Sequence, residues 1–302
     1  MGIVFGPVPS RRYGLSLGLD IIPKKTCSFN CIYCEVGLTD NLTIERKPFL
    51  KLEDLKGEID ESLKNISHLD VITFSGSGEP TLNSEIGRMI RYLKKNYNFP
   101  VVVITNGSLL WMKEVREELS FADIVEPTLN AGKEETFMKI SRHDKDIILP
   151  LHIEGLIKFR EEFKGKYFLE LFFVKGVNDD EEDVKKMIEI TRKINPDKIH
   201  LNTIDRPPST DCLPVDEEFL LKIKNLLPDK TEILSRFKGL KTYIEIEDFI
   251  LKTVKVRALK IDDIFSMLKN ERKKIEDVIC DLIDKGKIKE VIFNGEKYIQ
   301  GV

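Results

Sequence analysis

The chain has 302 residues, of which 41% are hydrophobic and 33% charged, and a formal net charge of −3 at pH 7. This composition excludes an intrinsically disordered chain and, because the longest apolar runs are only strand-sized, a membrane-spanning one. With so small a net charge, the chain as a whole is not an electrostatic binder of nucleic acid. The first residues carry no export signal, so we expect a cytoplasmic protein with no membrane partner.

Short β-branched or apolar runs alternate with amphipathic stretches over the first two thirds of the chain, which is typical of βα units around a parallel sheet. The runs predict six strands, at residues 16–22, 70–75, 100–105, 123–128, 167–174 and 198–203. Helical spacing predicts helices at residues 52–63, 84–95, 111–119, 134–140, 150–163 and 181–194, with Asn83 and Asp180 as N-caps. Six units are fewer than the eight of a TIM barrel. We therefore predict an α/β fold, a partial (β/α)6 TIM-like barrel over residues 1–205, with its chemistry at the carboxyl ends of the strands.

Beyond residue 203 the alternation stops, and a proline-rich loop leads to a helix predicted at residues 217–226. We assign residues 206–244 to a connecting segment. After it, helices are predicted at residues 245–255, 260–268 and 273–285, and strands at 287–293 and 297–300. Asn294-Gly295 between these strands is a strong hairpin signal. This order predicts a winged helix-turn-helix domain over residues 245–302.

Five cysteines, an odd number in a chain without an export signal, argue against a disulfide framework. Three of them, Cys27, Cys31 and Cys34, form a CxxxCxxC pattern directly after the first predicted strand. Three thiolates suit a four-iron cluster and leave one iron open to a non-protein ligand. The alternative is a zinc site completed by His68 or His143, although zinc ribbons usually have paired CxxC knuckles and the sequence has no second one.

The CxxxCxxC spacing, with Tyr33 before its last cysteine, resembles the signature of the radical S-adenosylmethionine (SAM) superfamily. The resemblance implies a [4Fe–4S] cluster on Cys27, Cys31 and Cys34 whose open iron is chelated by the amino and carboxylate groups of SAM. It also implies reductive cleavage of SAM to methionine and a 5′-deoxyadenosyl radical, which takes a hydrogen atom from the substrate. Such chemistry requires an external one-electron reductant of the flavodoxin or ferredoxin type.

Polar segments after the later strands extend the resemblance. Residues 75–80, SGSGEP, are similar to the Gly-Gly-Glu segment that contacts the SAM amino group in this family, although a serine separates the two glycines. Glycines permit close backbone approach, and a glutamate accepts hydrogen bonds from an ammonium. The resemblance implies SAM contacts at Tyr33, Gly76, Gly78, Glu79, Asn106, Thr128, Asn130 and Lys175.

Residues 6–12 and 201–207 narrow the resemblance to iron–sulfur oxidoreductases that are loosely grouped with the wyosine tRNA base synthases. Archaeal wyosine synthases carry a second cluster on three further cysteines. Here two cysteines remain, Cys212 and Cys280, and we place them in different domains. We therefore expect neither a second cluster nor wyosine synthesis.

Other residues have both a functional and a structural interpretation. Arg11 and Arg12 are candidates to bind a phosphate or carboxylate of the substrate, since arginine pairs with both, or they pair with surface acids. Cys212 is a candidate hydrogen-atom donor to a substrate radical, against the commoner role of a small buried hydrophobe. We predict that Cys280 lies in the core and that His200, on a strand, is structural.

Two functional hypotheses follow. The first is a radical SAM enzyme acting on an unidentified substrate, with the winged helix docking RNA or protein or mediating dimerisation. The second is an iron–sulfur or SAM-binding sensor whose winged helix binds DNA. The helix that begins near Arg272 also carries Glu276, Asp277, Asp281 and Asp284, which would repel phosphates. The sequence predicts neither a particular substrate nor an oligomeric state.

Overall fold

The computed structural model describes residues 3–64, 66, 68–234, 246–268 and 270–302. The strands are β1 (Val4–Ser10), β2 (Gly14–Leu19), β3 (Thr26–Cys27), β4 (Asn41–Leu42), β5 (Val71–Phe74), β6 (Val101–Thr105), β7 (Ile124–Leu129), β8 (Lys166–Phe173), β9 (Lys198–Thr203), β10 (Thr231–Ile233), β11 (Leu259–Lys260), β12 (Ile288–Phe293) and β13 (Glu296–Gly301). The helices are α1 (Leu52–Lys64), α2 (Ile86–Asn96), α3 (Lys113–Leu119), α4 (Glu134–Ser141), α5 (Leu149–Glu162), α6 (Glu181–Ile194), α7 (Glu217–Leu226), α8 (Ile246–Val254), α9 (Ile261–Met267) and α10 (Arg272–Asp284), with a 3-10 turn at Pro80–Leu82.

The main sheet has eight strands in the order β1-β2-β5-β6-β7-β8-β9-β10. From β2 to β10 every pair of neighbours is parallel, and β1 pairs antiparallel with β2 as one edge. The six predicted strands correspond to β2 and β5 to β9, and the predicted α/β class with a mostly parallel sheet is confirmed. Because all these strands run the same way, their carboxyl ends meet at one edge.

The sequence interpretation missed two strands of this sheet. β1 contains Gly6, Pro7 and Pro9, which disfavour a strand in the middle of a sheet, but prolines are tolerated at an edge. β10 has three residues and follows α7, with Thr231 opposite Ile199 of β9. The prediction that the βα alternation stops after residue 203 is therefore wrong by one unit.

The two predicted N-caps have different outcomes. Asp180 caps α6 as predicted, because its side chain accepts a hydrogen bond from the backbone N–H of Asp183. Asn83 is not the N-cap of α2, which begins three residues later. Its side-chain amide instead donates to the carbonyl oxygens of Ile21 and Leu50, both at 3.0 Å. Asn83 therefore ties the segment after β2 to the start of α1.

The main core lies between the parallel sheet and its helices. Its fully buried members come from both layers and include Leu17, Phe74, Val103, Leu156 and Tyr167. This apolar layer fixes the positions of the strands, and thereby the positions of the loops that follow them.

The carboxyl-terminal elements run in the order α8, β11, α9, α10, β12, β13, and their strands form a separate sheet in the order β11-β13-β12. The predicted hairpin is present. Asn294 and Gly295 both have positive φ, 51° and 73°, as a two-residue hairpin turn requires. Of the predicted connecting segment, residues 235–244 lie outside the described residues, as does residue 245 at the start of the predicted winged helix.

The carboxyl-terminal elements pack directly on the first hairpin of the main sheet. Phe5, Val8 and Leu15 of β1 and β2 share one apolar cluster with residues of α8, including Ile250. Gly18 is needed opposite Phe5, because a Cβ at this position would overlap the phenyl ring. The carboxyl-terminal unit and the main sheet are therefore joined by a common core, not only by the chain.

Cys280 is exposed, so its predicted place in the core is wrong. The buried face of α10 is formed by Ile275, Ile279 and Leu282, and Cys280 lies next to that face, not on it. Among the helices of the described residues, we find no segment with the length and apolarity needed to cross a membrane.

Candidate active site

A cavity of about 320 Å³ opens where the carboxyl ends of the parallel strands meet the carboxyl-terminal unit. Its wall is formed by residues of the parallel strands and of the loops that follow them, by the hairpin of β1 and β2, and by Val256 and Arg257 of the carboxyl-terminal unit. Of the predicted site residues, the lining includes Arg11, Arg12, Cys27, Cys31, Tyr33, Cys34, Gly76, Gly78, Glu79, Asn106 and Thr128. The topology thus brings together side chains that are far apart in the sequence.

The loop that carries the three cysteines is anchored to the end of α4. The backbone N–H of Asn30 donates to the carbonyl of Ser141 at 2.8 Å, and that of Ile32 donates to Ile140 at 3.0 Å. These bonds hold the alternate residues of the loop against the helix. Cys27, Cys31 and Cys34 are each half-buried and line the cavity.

The chemistry of these thiols fits a metal cluster. Burial, followed by the nearby carboxylate of Glu79, raises the pKa of Cys27 to about 12, and burial raises the pKa of Cys31 well above its usual range. A thiolate here needs a bound cation to balance its charge, and iron supplies one. In a cubane each cysteine binds a different iron, so the three sulfurs need not converge on one point.

The zinc alternative has no support from the positions of its proposed ligands. His68 and His143 are absent from the described lining of the cavity; His68 pairs with Asp70 at 3.1 Å, and His143 Nδ1 lies 2.9 Å from the carbonyl oxygen of Asp144. In the part of the chain that the structure describes, no three His, Cys, Asp or Glu side chains are grouped for a single metal ion.

The two glycines of the segment after β5 allow close contacts with the region that carries the cysteines. A Cβ on Gly78 would lie within 3.0 Å of the carbonyl oxygen of Thr26, an atom of the backbone that leads into Cys27. Gly76 has a φ of +156°, and a Cβ there would overlap the buried carboxyl group of Asp20. Both positions therefore exclude larger residues, and the inserted serine does not prevent this approach.

Glu79 is buried and held by several donors. Its Oε1 accepts from the N–H of Thr81 at 3.0 Å and from the hydroxyls of Thr81 and Thr105, both at 2.6 Å. Its Oε2 accepts from the N–H of Asn106 at 2.7 Å, and the amide of Asn106 lies 3.6 Å from the Sγ of Cys27. Burial raises the pKa of Glu79, while these hydrogen bonds oppose the rise. One network therefore joins the carboxyl group and the cysteine loop.

Tyr33, in the loop that carries the cysteines, also lines the cavity. Its ring stacks on Phe172 with 3.9 Å between centroids, and its hydroxyl accepts from the side-chain amide of Asn130 at 2.9 Å. Asn130 is buried behind this tyrosine and is absent from the described lining of the cavity. Thr128 does line it, and the hydroxyl of Thr128 donates to Glu170 at 2.7 Å.

Lys175 and Cys212 are not brought to this cavity. Both line a separate cleft that also includes Ile32 of the cysteine loop, and Lys175 is exposed there. The Sγ of Cys212 lies 3.4 Å from the carbonyl oxygen of Ile32. The structure therefore separates these two residues from the other predicted cofactor contacts.

A buried polar network around Arg12, of which Arg12 and Glu170 line the cavity, was not predicted. Arg12 forms ion pairs with Glu126, at 3.2 Å, and with Glu170, and Glu126 also accepts from the hydroxyl of Tyr13 and contacts Nδ1 of His200 at 2.7 Å. Burial would raise the pKa of Glu126, but Arg12 and His200 together hold it at about 2. Arg12 is thus committed to internal carboxylates, and His200 has the structural place predicted for it.

The sequence contains one signal that could have revealed this network. Glu126 and Glu170 each interrupt an otherwise apolar run, in IVEPTL and in FLELFF, and a charged residue in a buried strand needs a partner. Because these strands are neighbours in the sheet, both carboxylates face the same arginine.

A family model described as "Radical SAM superfamily" matches residues 21–190. Among curated proteins, the chain is 37% identical over 306 residues to a protein named GTPase Obg from Brachyspira hyodysenteriae, a match that covers 97% of this chain and 44% of that protein. It is 33% identical over 308 residues to the UPF0026 protein MJ1312 from Methanocaldococcus jannaschii, covering 99% of this chain and 95% of that protein. The chain thus spans less than half of the first relative and nearly all of the second.

Solved structures share the fold. A radical SAM methyltransferase from Sphaerobacter thermophilus aligns with a TM-score of 0.55 and 16% identity, covering 72% of this chain and 66% of that one. Streptococcus suis SuiB bound to its precursor peptide SuiA aligns with a TM-score of 0.56 and 12% identity, covering 74% and 50%. A structure of SuiB with SAM bound also aligns, with a TM-score of 0.51. Since the family model matches more than half of its length, the chain belongs to the radical SAM superfamily, enzymes that use a [4Fe–4S] cluster and SAM.

Proposed function

We propose that this enzyme cleaves SAM reductively at one [4Fe–4S] cluster held by Cys27, Cys31 and Cys34, and directs the 5′-deoxyadenosyl radical at a C–H bond of a substrate in the cavity. The observation that carries the proposal is that the three cysteines share one cavity with Gly78 and Glu79. When bound, the cluster supplies the electron that breaks a C–S bond of the sulfonium, and a flavodoxin or ferredoxin type of reductant replenishes that electron.

The chain's own part is to hold SAM and the substrate in line and to exclude water. Glu79 Oε2, which accepts from the N–H of Asn106, has a remaining lone pair for the SAM ammonium group. Further contacts that we propose are Tyr33, Gly76, Gly78, Asn106 and Thr128, all on the cavity wall. Asn130 acts by positioning Tyr33, through the hydrogen bond to its hydroxyl.

We propose the domain organisation from the order of the helices and strands. The strands β2 and β5 to β9 with their helices form a partial (β/α)6 barrel over residues 1–205, which α7 and β10 extend by one unit. The order helix, short strand, two helices and hairpin over residues 246–302 supports a winged helix. We propose that this domain acts on the substrate side of the site and docks RNA or protein, which the presence of Val256 and Arg257 in the cavity wall supports.

The DNA-binding sensor is less well supported. The exposed side of α10 carries Arg272, Lys273 and Lys274, but Arg272 pairs with Glu276 at 2.9 Å and Asp277 is also exposed. Acidic residues on this face would oppose the approach of phosphates. The residues that the carboxyl-terminal unit contributes to the cavity wall favour the enzyme hypothesis instead.

The test is to purify the protein without oxygen, reconstitute it with iron and sulfide, reduce it with dithionite and add SAM. We expect 5′-deoxyadenosine and methionine, detected by mass spectrometry. Changing Cys27, Cys31 and Cys34 together to Ala should abolish both the iron content and the products. Cys280→Ala, which removes an exposed thiol on α10, is the matched control and should retain both. Absence of 5′-deoxyadenosine from the wild-type reaction would refute the proposal.

A further inference from the structure

Three arginines besides Arg12 line the cavity, and one of them belongs to the carboxyl-terminal unit. Arg11 lies between β1 and β2, Arg206 follows β9, and Arg257 comes from the loop between α8 and β11. All three line the cavity, together with two acidic residues, Glu35 and Asp205. These five residues carry three positive and two negative charges; Arg12, Glu79 and Glu170 line the cavity as well.

Two of the arginines are paired with those acids. Arg11 lies 3.6 Å from Asp205, and Arg206 lies 3.0 Å from Glu35. Arg257 has no ion pair and no side-chain hydrogen bond among residues 3–64, 66, 68–234, 246–268 and 270–302. Its Nε and Nη2 are both buried, and neither has a hydrogen-bond partner in the part of the chain that the structure describes.

The carboxylates of Glu35 and Asp263 raise the pKa of Arg257, but among the described residues neither forms an ion pair with it. Lys260 adds a cation and is itself paired with Glu296 at 2.8 Å. Asp263 is the remaining acid that acts on Arg257, and burial raises the pKa of Asp263. Burial, and then the charge of Arg206, lowers the pKa of Arg257 to about 9. The fold thus holds a guanidinium in a place that disfavours its charge.

The two unpartnered atoms have a definite chemistry. Nε and Nη2 lie on one edge of the guanidinium, which presents two parallel N–H donors to a planar or tetrahedral oxyanion. Arg206 also has a buried Nε for which the described residues offer no acceptor. A buried donor without an acceptor is costly unless a ligand provides one.

We propose that Arg257, supported by Arg11 and Arg206, binds an oxyanion of the substrate, a phosphate or a carboxylate, in the cavity. The carboxyl-terminal unit thereby supplies a residue that determines substrate specificity. This inference rests on the proposed function, because it assigns the ligand of Arg257 to the substrate and not to SAM.

The test measures anion binding to the reconstituted protein by thermal unfolding without oxygen, with inorganic phosphate and acetate as probes at constant ionic strength. Arg257→Gln removes the fork and the charge, and Arg257→Lys keeps the charge alone. Lys255→Gln is the charge-matched control, because Lys255 is exposed and two residues away. We expect an anion to raise the Tm of the wild type and of Lys255→Gln. Arg257→Gln should bind it about tenfold more weakly, with Arg257→Lys between them.

The anion that binds identifies the group. Stabilisation by phosphate alone indicates a phosphorylated substrate, stabilisation by acetate alone a carboxylate, and stabilisation by both a site for either. Without anion, Arg257→Gln should unfold at a Tm equal to or above that of the wild type, because the change removes a buried, unpaired charge. A structural arginine would give a lower Tm instead, and that result would overturn the inference.

Two other results would also overturn it: no effect of either anion on the wild type, or the same effect on Arg257→Gln. SAM binding is measured in parallel by calorimetry. If Arg257→Gln weakens SAM binding and leaves anion binding unchanged, the arginine serves SAM and the inference is wrong. Failure of the wild type to form 5′-deoxyadenosine concerns the proposed function only, since the anion measurements require no turnover.

Discussion

Replacing Arg12 by Gln removes the cation that faces two buried carboxylates, Glu126 and Glu170. Glu126 is fully buried, and its pKa is lowered from 4.5 to about 2 by charges of which Arg12 is the largest. A lowering of this size corresponds to about 3 kcal/mol of favourable interaction with the ionised form. Breaking a buried ion pair from one side costs about 3–5 kcal/mol. We therefore expect Arg12→Gln to lower the free energy of unfolding by that amount near pH 7.5.

The effect should depend on pH in a definite direction. In the wild type the lowered pKa of Glu126 contributes stability that is fully present above pH 4.5 and is lost only as the pH falls towards about 2. In Arg12→Gln the largest influence that opposes burial is gone, so we expect the pKa of Glu126 to be higher than in the wild type and its ionised carboxylate to carry a burial penalty at neutral pH. Protonation relieves that penalty, so the difference between variant and wild type should narrow as the pH is lowered.

The assay is urea unfolding of both proteins without oxygen, followed by circular dichroism at about pH 7.5 and about pH 5.5. Arg88→Gln is the matched control, because Arg88 is half-exposed and pairs with Glu85 on the surface of α2. A surface pair contributes about 0–1 kcal/mol, so this control should change little at either pH. A loss below about 1 kcal/mol for Arg12→Gln near pH 7.5, or a loss independent of pH, would refute the reasoning.

Three further predictions concern Gly78, Asn178 and Cys212. Gly78→Ala should force Thr26 to move, lower the iron content after reconstitution and lower the free energy of unfolding by about 1–3 kcal/mol. Its control is Gly57→Ala, in open space on α1, which should raise the free energy of unfolding by up to about 1 kcal/mol. Asn178→Ala leaves three buried backbone groups unpaired and should cost about 3 kcal/mol or more in urea unfolding; a loss below about 1 kcal/mol contradicts this. Cys212→Ala should leave iron content and 5′-deoxyadenosine formation unchanged, and a drop in either would place Cys212 at the site.

The sheet was largely predictable because its central strands are short apolar runs between amphipathic helices. Strands at the edges obey weaker rules. β1 is an edge strand with two prolines, and β10 has three residues, so neither shows the apolar pattern of a central strand. The predicted burial of Cys280 is wrong for a related reason. The buried face of a helix is set by the elements packed against it, and a residue next to the apolar stripe of α10 can lie outside that face.

The residues that line the cavity were more predictable than the ion pairs that Arg12 forms. Positions after parallel strands converge whatever the register, which is why Cys27, Gly78 and Asn106 could be grouped from their places in the chain. The ion pairs of Arg12 depend on which strands are neighbours and which residues face inward. That information lies in the register, where Glu170 is opposite both Thr128 and His200, and not in any local pattern.

Arg12 and Arg257 show how a structural and a ligand-binding cation differ in one cavity. The fold surrounds Arg12 with two carboxylates, so that its charge is balanced whether or not a ligand is bound. Arg257 has two buried nitrogens without a partner among the described residues, and burial and then the charge of Arg206 lower its pKa. Removing a cation that stabilises the fold should destabilise the protein, whereas removing a cation retained for a ligand should not. The two glutamine variants, unfolded under the same conditions, should therefore move the free energy of unfolding differently, with a large loss for Arg12→Gln and none for Arg257→Gln.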